Sequence, residues 1–253
     1  MVLEGANKEH VTKIAGGHML VRDGLDFLAS NRSESVDDVV EAIVHWLETQ
    51  LGGEEFVTAK GDFFGRFGKV FPEDEFYETR MRYFLDWFLF FRSLPAHSNR
   101  LGQVVTPFEI LPRHEVLARP GVSARTAEFI SALATCRHSL FQVSKVRDDS
   151  MQIVDLLEGG AKISIRPKSN ESFRAFAAKD VFQGFLFGAG QTVFMSQGLI
   201  QHPRSVSSTI LKMLKSARKV PGFQAQGILS RLASVQLRAV RHSHVDPVAI
   251  YST

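Results

Sequence analysis

The segment from Glu75 to Arg92 constrains the fold most. It carries Phe76, Tyr83, Phe84, Trp87, Leu89, Phe90 and Phe91, so its second half is apolar nearly all round. A helix of that kind is stable only when other elements cover every side of it. Phe71-Pro72-Glu73-Asp74 supplies a turn ahead of it, with Asp74 as its cap. The chain uses 21 Phe against 3 Tyr and 2 Trp. Phe has no polar handle, so most of these rings belong in a core, and a surplus also suits a buried contact with a partner.

The first third reads as helical. Asp23 to Ala29 predicts a short helix with Leu25, Phe27 and Leu28 apolar. Ser35 is an N-cap, and Asp37 and Asp38 occupy the first turn, where negative charge suits the helix dipole. Val36, Val39, Val40, Ile43, Val44, Trp46 and Leu47 follow at helical spacing, and Gly52-Gly53 ends the run. Glu54 to Lys69 suits a further helix, although Gly61, Gly65 and Gly68 weaken it. Four prolines mark Leu94 to Gly121 as mostly loop and as a linker. Ser123 to about Arg137 is helical again.

The period then changes. Ser139–Val146, Met151–Leu157, Ala161–Ile165, Val181–Phe187 and Gln191–Met195 alternate or run apolar between turn residues, which predicts antiparallel strands. Five short strands favour a small barrel or curled sheet, because closure removes exposed edges. Two helices follow, Ser205 to Lys219 and Gln224 to His242, broken by Pro221-Gly222. The expected class is α+β: a helical N-terminal layer, a small antiparallel β-barrel or curled sheet, and a helical C-terminal segment. The natural divisions are 1–121, 122–202 and 203–253.

Hydrophobic residues make up 44% and charged residues 23%, as in an ordinary folded chain rather than a disordered or fibrous one. Cys136 is alone, which excludes an internal disulfide and a Cys-rich zinc site and points to a reducing compartment. No apolar run reaches the ~18 residues of a membrane span, and Met1 to Ala15 lacks the apolar run of a signal peptide. A cytoplasmic setting is expected. The net charge of +3 is uneven. Residues 203–253 hold eight Lys and Arg against one acidic residue, while residues 1–202 hold 22 basic and 26 acidic. An acidic body with a basic end invites an acidic partner.

Phe71-Pro72-Glu73-Asp74 with Arg82-Tyr83-Phe84-Leu85-Asp86-Trp87-Phe88-Leu89-Phe90 resembles the "RFLDWFLFD"-type helix of certain uncharacterised bacterial proteins, some of which carry a C-terminal SEC-C zinc-binding tail. Cys136 to Val143, followed by Ile153 to Gly159, is similar to their strands. The resemblance covers Phe63 to Pro203. It implies the central helix and the small barrel. The Cys-rich tail is absent here, so no zinc is implied, and the basic helices take its place.

The search for chemistry finds incomplete sets. His242-Ser243-His244-Val245-Asp246 could hold a metal from alternate positions of an extended chain. It resembles part of the HxHxDH string of metallo-β-lactamase-like hydrolases but lacks the closing His. A polar helix end, with histidines near the C-terminal dipole, explains it better. Cys136 and His138 lack an orienting third group, so a buried structural Cys is expected. Asp37-Asp38 and Asp148-Asp149 read as solvated local structure rather than an acid–base pair. No phosphate-cradling glycine pattern and no nucleophile elbow is present. Arg166-Pro167-Lys168-Ser169-Asn170 resembles the basic start of a PilZ-type module without its second string. No cofactor is expected.

The basic end is the one positive signal. Lys212, Lys215, Arg218 and Lys219 cluster on one helix, and Arg231, Arg238 and Arg241 form a stripe on the next. Such faces bind phosphate backbones or acidic proteins, and they also occur as solvated faces docked on an acidic body. Only Phe223 interleaves with these cations, which argues against stacking on single strands. The expected role is a non-catalytic, adaptor-type protein with a protein partner. The alternative is a nucleic-acid-binding module built on the last two helices. An enzyme would need carboxylates or histidines converging from distant segments.

Overall fold

The computed structural model describes residues 35–98, 101–166, 173, 175–189 and 192–252. The expected helix over 23–29 and most of the Arg166–Asn170 string lie outside the described residues. The class is α+β, with a barrel-like antiparallel sheet between helical ends.

Among the described residues three helices form the N-terminal layer: α1 (Val36–Leu51), α2 (Gly53–Phe67) and α3 (Tyr77–Phe91). Ser35 caps α1 as expected, in a reciprocal box with Asp38. The glycines do not break α2, because Gly61 and Gly65 lie on its exposed face with nothing near them. Gly68 ends it at φ 93°, a conformation only glycine adopts cheaply, and Leu237 packs where a Cβ would sit. Helix α3 is central. Tyr83, Phe84, Trp87, Phe88 and Leu89 are all buried, and Phe63 of α2 touches the rings of Tyr83, Phe84 and Trp87.

The proline-rich stretch is not an exposed linker. It forms a hairpin of β1 (Leu94–Ser98) and β2 (Val104–Val105), then α4 (Pro107–Ile110) and α5 (Arg113–Leu117). Pro107 occupies the first position of α4, where its missing N–H costs nothing, and Thr106 with Glu109 closes a capping box. Phe108, Leu111 and Val116 join the main core. Ser123 then caps α6 (Ala124–Leu133).

The sheet contains the five expected strands and one more. These are β3 (Arg137–Val146), β4 (Met151–Asp155), β5 (Lys162–Ile165), β6 (Val181–Ala189), β7 (Thr192–Met195) and β8 (Ile200–Gln201). The order is β5-β4-β3-β6-β7, with β8 also on β6. A bulge lies between Val143 and Lys145, where Ser144 Oγ donates to the Gln152 carbonyl. Such bulges raise local twist and curl a sheet. β5 and β7 approach each other with no ladder between them, so the barrel is nearly closed. Phe141, Val143, Met151, Ile153, Phe182 and Leu186 fill its inside. The opposite face, with His138, Leu140, Val181, Gln183 and Phe185, turns toward the helices.

Residues 196–199 interrupt the strand between β7 and β8 and land on the helical layer. Gly198 lies so close to α3 that a Cβ would sit 2.5 Å from the Tyr83 nitrogen. Ser196 Oγ donates to Asp86 at 2.5 Å and lies 3.3 Å from Asp37, while the Gln197 N–H donates to Asp37 at 3.0 Å. Asp37 is therefore buried rather than solvated, because this loop docks on the start of α1. Asp148 and Asp149 stay exposed in the turn between β3 and β4, as expected.

After a 3-10 turn at Arg204–Val206 come α7 (Ser207–Ala217), α8 (Ala225–Arg241) and α9 (Pro247–Tyr251). Their apolar sides meet Leu140 and Val181 in a second core.

Candidate binding face on the C-terminal helices

Helix α8 has an inner and an outer side. Leu229, Leu232 and Ala233 are fully buried on the inner side. Polar pins hold that side in one register. Gln226 lies 3.1 Å from His138 Nδ1 on β3. Arg80 on α3 donates to the Ala233 carbonyl at 3.0 Å and to Gln236 at 2.5 Å. Arg241 donates to the Lys69 carbonyl and to Asp74, just past the end of α2. Helix α9 is pinned where His202 Nδ1 meets the Tyr251 hydroxyl at 2.7 Å.

Gln224, Arg231, Arg238 and His242 are exposed along one stripe of α8 over about 27 Å of helix, with the buried Ile228 and Val235 at its inner edge. A hollow lies at each end of this stripe. The first, about 420 Å³, is walled by Met213, Ala217, Val220, Phe223, Ile228 and Arg231. Val220 is 60% exposed there, an unusual setting for a branched apolar side chain. The second, about 390 Å³, is walled by Arg238, His242, Val245, Ala249 and Ile250. Each hollow thus has one arginine in its wall, Arg231 in the first and Arg238 in the second.

The seven basic residues read from the sequence divide into groups. Lys212 and Lys215 are exposed on one side of α7, and Lys219 follows just past its end. Arg231 and Arg238 are exposed on the α8 stripe. Arg218 instead donates to the carbonyls of Leu156 and Leu157, tying the end of α7 to the turn after β4. Arg241 is a pin, as described. Arg218 and Arg241 thus fasten the C-terminal helices to the body.

The metal-like string does not converge. His242 ends α8, its ring 6.0 Å from that of His244, and Asp246 caps α9 by accepting from the Val248 N–H. Among the described residues no group of three or more His, Cys, Asp or Glu side chains could hold a metal. Cys136 and His138 are not partners in chemistry. Burial, reinforced by Asp86, pushes the Cys136 thiol well above its usual range. His138 is bonded through both ring nitrogens, to Tyr83 and Gln226. A third hollow, about 330 Å³, opens at the barrel edge beside Thr135, Arg137, Ile163 and Val193. Its cation, Arg137, is already paired with Asp155 and Glu158.

Sequence reading missed Arg80, His202, Gln183 and Tyr251, all buried polar side chains around the seat of α8. Each stands alone in its local pattern, so only long-range packing brings them together. No helix among the described residues is long and apolar enough to cross a membrane. No family model matches the chain, and neither a curated protein nor a solved structure is significantly similar to it.

Proposed function

We propose that this chain is a non-catalytic, adaptor-type protein that binds an acidic, amphipathic segment of a protein partner along the outer side of α8. One observation carries the reading: two hollows with largely apolar walls at the two ends of α8, one with Arg231 in its wall and the other with Arg238. Apolar anchors at both ends of a segment would enter the hollows, and carboxylates between them would meet the arginines. Anchors in pockets supply most of an interface's affinity, and the charges set orientation and encounter rate. Lys212 and Lys215 on α7 and Lys219 just past its end add attraction of the same sign. The reading places the protein in a reducing, cytoplasmic setting, which the single Cys136 supports, and it keeps the likeness to the bacterial group with the Phe-rich helix.

The test is selection of an 18-residue helical peptide library on the immobilised full chain. Enriched peptides are expected to be acidic at the centre and apolar at both ends. They should lose at least about tenfold in affinity against R231E/R238E. Enrichment without acidic centres, or affinity unmoved by the reversal, overturns the proposal. A duplex DNA probe separates the alternative. Tight binding with a steep salt slope, lost in R231E/R238E, would make the face a nucleic-acid interface instead.

A further inference from the structure

The first hollow contains a glycine that the fold does not require. Gly227 stands in its wall, in the first turn of α8, and is exposed. It does not take a positive φ, and nothing else lies within 4 Å of where a Cβ would sit. Neither strain nor crowding excludes alanine there, and alanine is the better helix former. Gly61 and Gly65 have the same freedom on the exposed face of α2, whereas Gly227 has it inside a hollow. Its effect is to leave bare backbone in the wall.

The same wall holds Met213 of α7, Val220 and Phe223 of the turn between the helices, and Arg231, four residues along α8 from Gly227. Ser216 and Gln224, both exposed, complete it. This set suits an aromatic ring better than an aliphatic chain. A flat ring can lie on bare backbone, where a Cβ would hold it off. A thioether and a guanidinium each attract the ring of an aromatic side chain. A hollow of about 420 Å³ is more than one aliphatic side chain fills, and the two-ring indole is the largest occupant a side chain offers. Ser216 and Gln224 bring acceptor oxygens, which an indole N–H uses and a phenyl ring does not.

We infer that this hollow takes a tryptophan side chain of an acidic partner segment, its ring lying on the Gly227 backbone. The inference rests on the reading of α8 as a docking face and adds which residue anchors the segment. Charge sets the kind of chain that carries the ring. Residues 203–253 hold eight Lys and Arg against one acidic residue, and Lys212, Lys215 and Arg231 are exposed around the two helices. Carboxylates flanking the tryptophan gain attraction there, and a basic segment is repelled. A second folded copy of this chain cannot supply the ring, because both of its tryptophans, Trp46 and Trp87, are buried.

The test titrates the isotope-labelled full chain with N-acetyl-tryptophanamide and follows the amide signals of Gly227 and Val220. Both should shift saturably, and N-acetyl-leucinamide should bind at least about tenfold more weakly. G227L fills the hollow with a good helix former, so it should abolish the shift at Val220 while the chain melts no lower than its parent. V220S trims the wall at a position that is 60% exposed, leaves the helices untouched and should also weaken binding. No shift at Gly227, equal affinity for the two amides, or binding unchanged in both variants would overturn the inference. Failure of the wider reading looks different. Ring binding without enrichment of acidic peptides would uphold the ring site and overturn the peptide reading alone. Acidic peptides enriched with aliphatic residues at both ends would keep that reading and overturn this inference.

Discussion

The Tyr83 hydroxyl lies 2.5 Å from Nε2 of His138, and the imidazole stacks on Phe185 at 4.3 Å. With Gln226 on its other nitrogen, this one ring joins α3, β3 and α8. A neutral imidazole donates at one nitrogen and accepts at the other, which this pair of partners can match. A protonated ring donates at both, and one bond must fail.

Acid should therefore unfold the protein through its histidines. Burial holds His138 at about 3, with the Gln226 bond opposing it, and burial with Arg80 holds His202 at about 3, against an ordinary 6.5. Both values are depressed in the folded state, so the unfolded chain binds more protons between 6.5 and 3. Stability falls as pH drops through that window, by about 3 kcal/mol per pH unit for two such rings well below 6.5. H138Q/H202N keeps hydrogen-bonding groups in place without the titration. Its acid-unfolding midpoint, followed by circular dichroism, should lie about one pH unit lower relative to its neutral stability. An unchanged midpoint would show that neither ring controls the acid limb.

Asp86 should act with the opposite sign. Burial raises its carboxyl well above 3.8, the Ser196 bond opposes that shift, and Asp37 adds to it. A raised carboxyl gives stability that is complete below 3.8 and is lost as pH climbs through the folded value. Asp86→Asn removes that loss while keeping an acceptor for Ser196. The variant should melt above the parent at pH 7, and the gap should close toward pH 4. A gap that does not change with pH would mean that Asp86 does not titrate across this range.

Cys136 should be a reporter rather than a nucleophile. Its thiol is raised by burial, and the thiolate is the reactive form. Cys136 is half-buried against the main core, so at pH 8 a thiol reagent should label the folded chain several-fold more slowly than the chain in denaturant. Equal rates would contradict the burial described.

Much of this fold is legible from local pattern. Ser35 announces α1, the aromatic run of α3 announces a covered helix, and alternation around Ile163 announces a strand. Other features depend on distant partners. Asp37 beside Asp38 looks like any solvated helix start until Ser196 and Gln197, some 160 residues away, arrive on it. Pro107 looks like loop until Thr106 and Glu109 make it a helix start. The basic face was readable as charge. That Arg218 and Arg241 are fasteners while Arg231 and Arg238 face outward was not, because helical rotation relative to α2 and β4 is set by packing.

The glycines offer the sharpest contrast between local rule and packing. Gly61 and Gly65 sit mid-helix in α2 with open space where a Cβ would go. Each replacement by Ala removes unfolded-chain entropy and adds helix propensity, and should stabilise by about 0.5–1 kcal/mol. Gly198 does not take a positive φ, so φ alone would allow Ala. Its Cβ, however, would lie 2.5 Å from the Tyr83 nitrogen and 2.7 Å from the Tyr83 Cα. Backbone on a central helix cannot swing aside as a side-chain end can. Gly198→Ala must lift the 196–199 loop, and with it the Ser196 contacts to Asp86 and Asp37, at a cost of about 3 kcal/mol. Urea denaturation of G61A/G65A and G198A should move the midpoint in opposite directions. A G198A protein as stable as its parent would mean that this loop does not rest on α3.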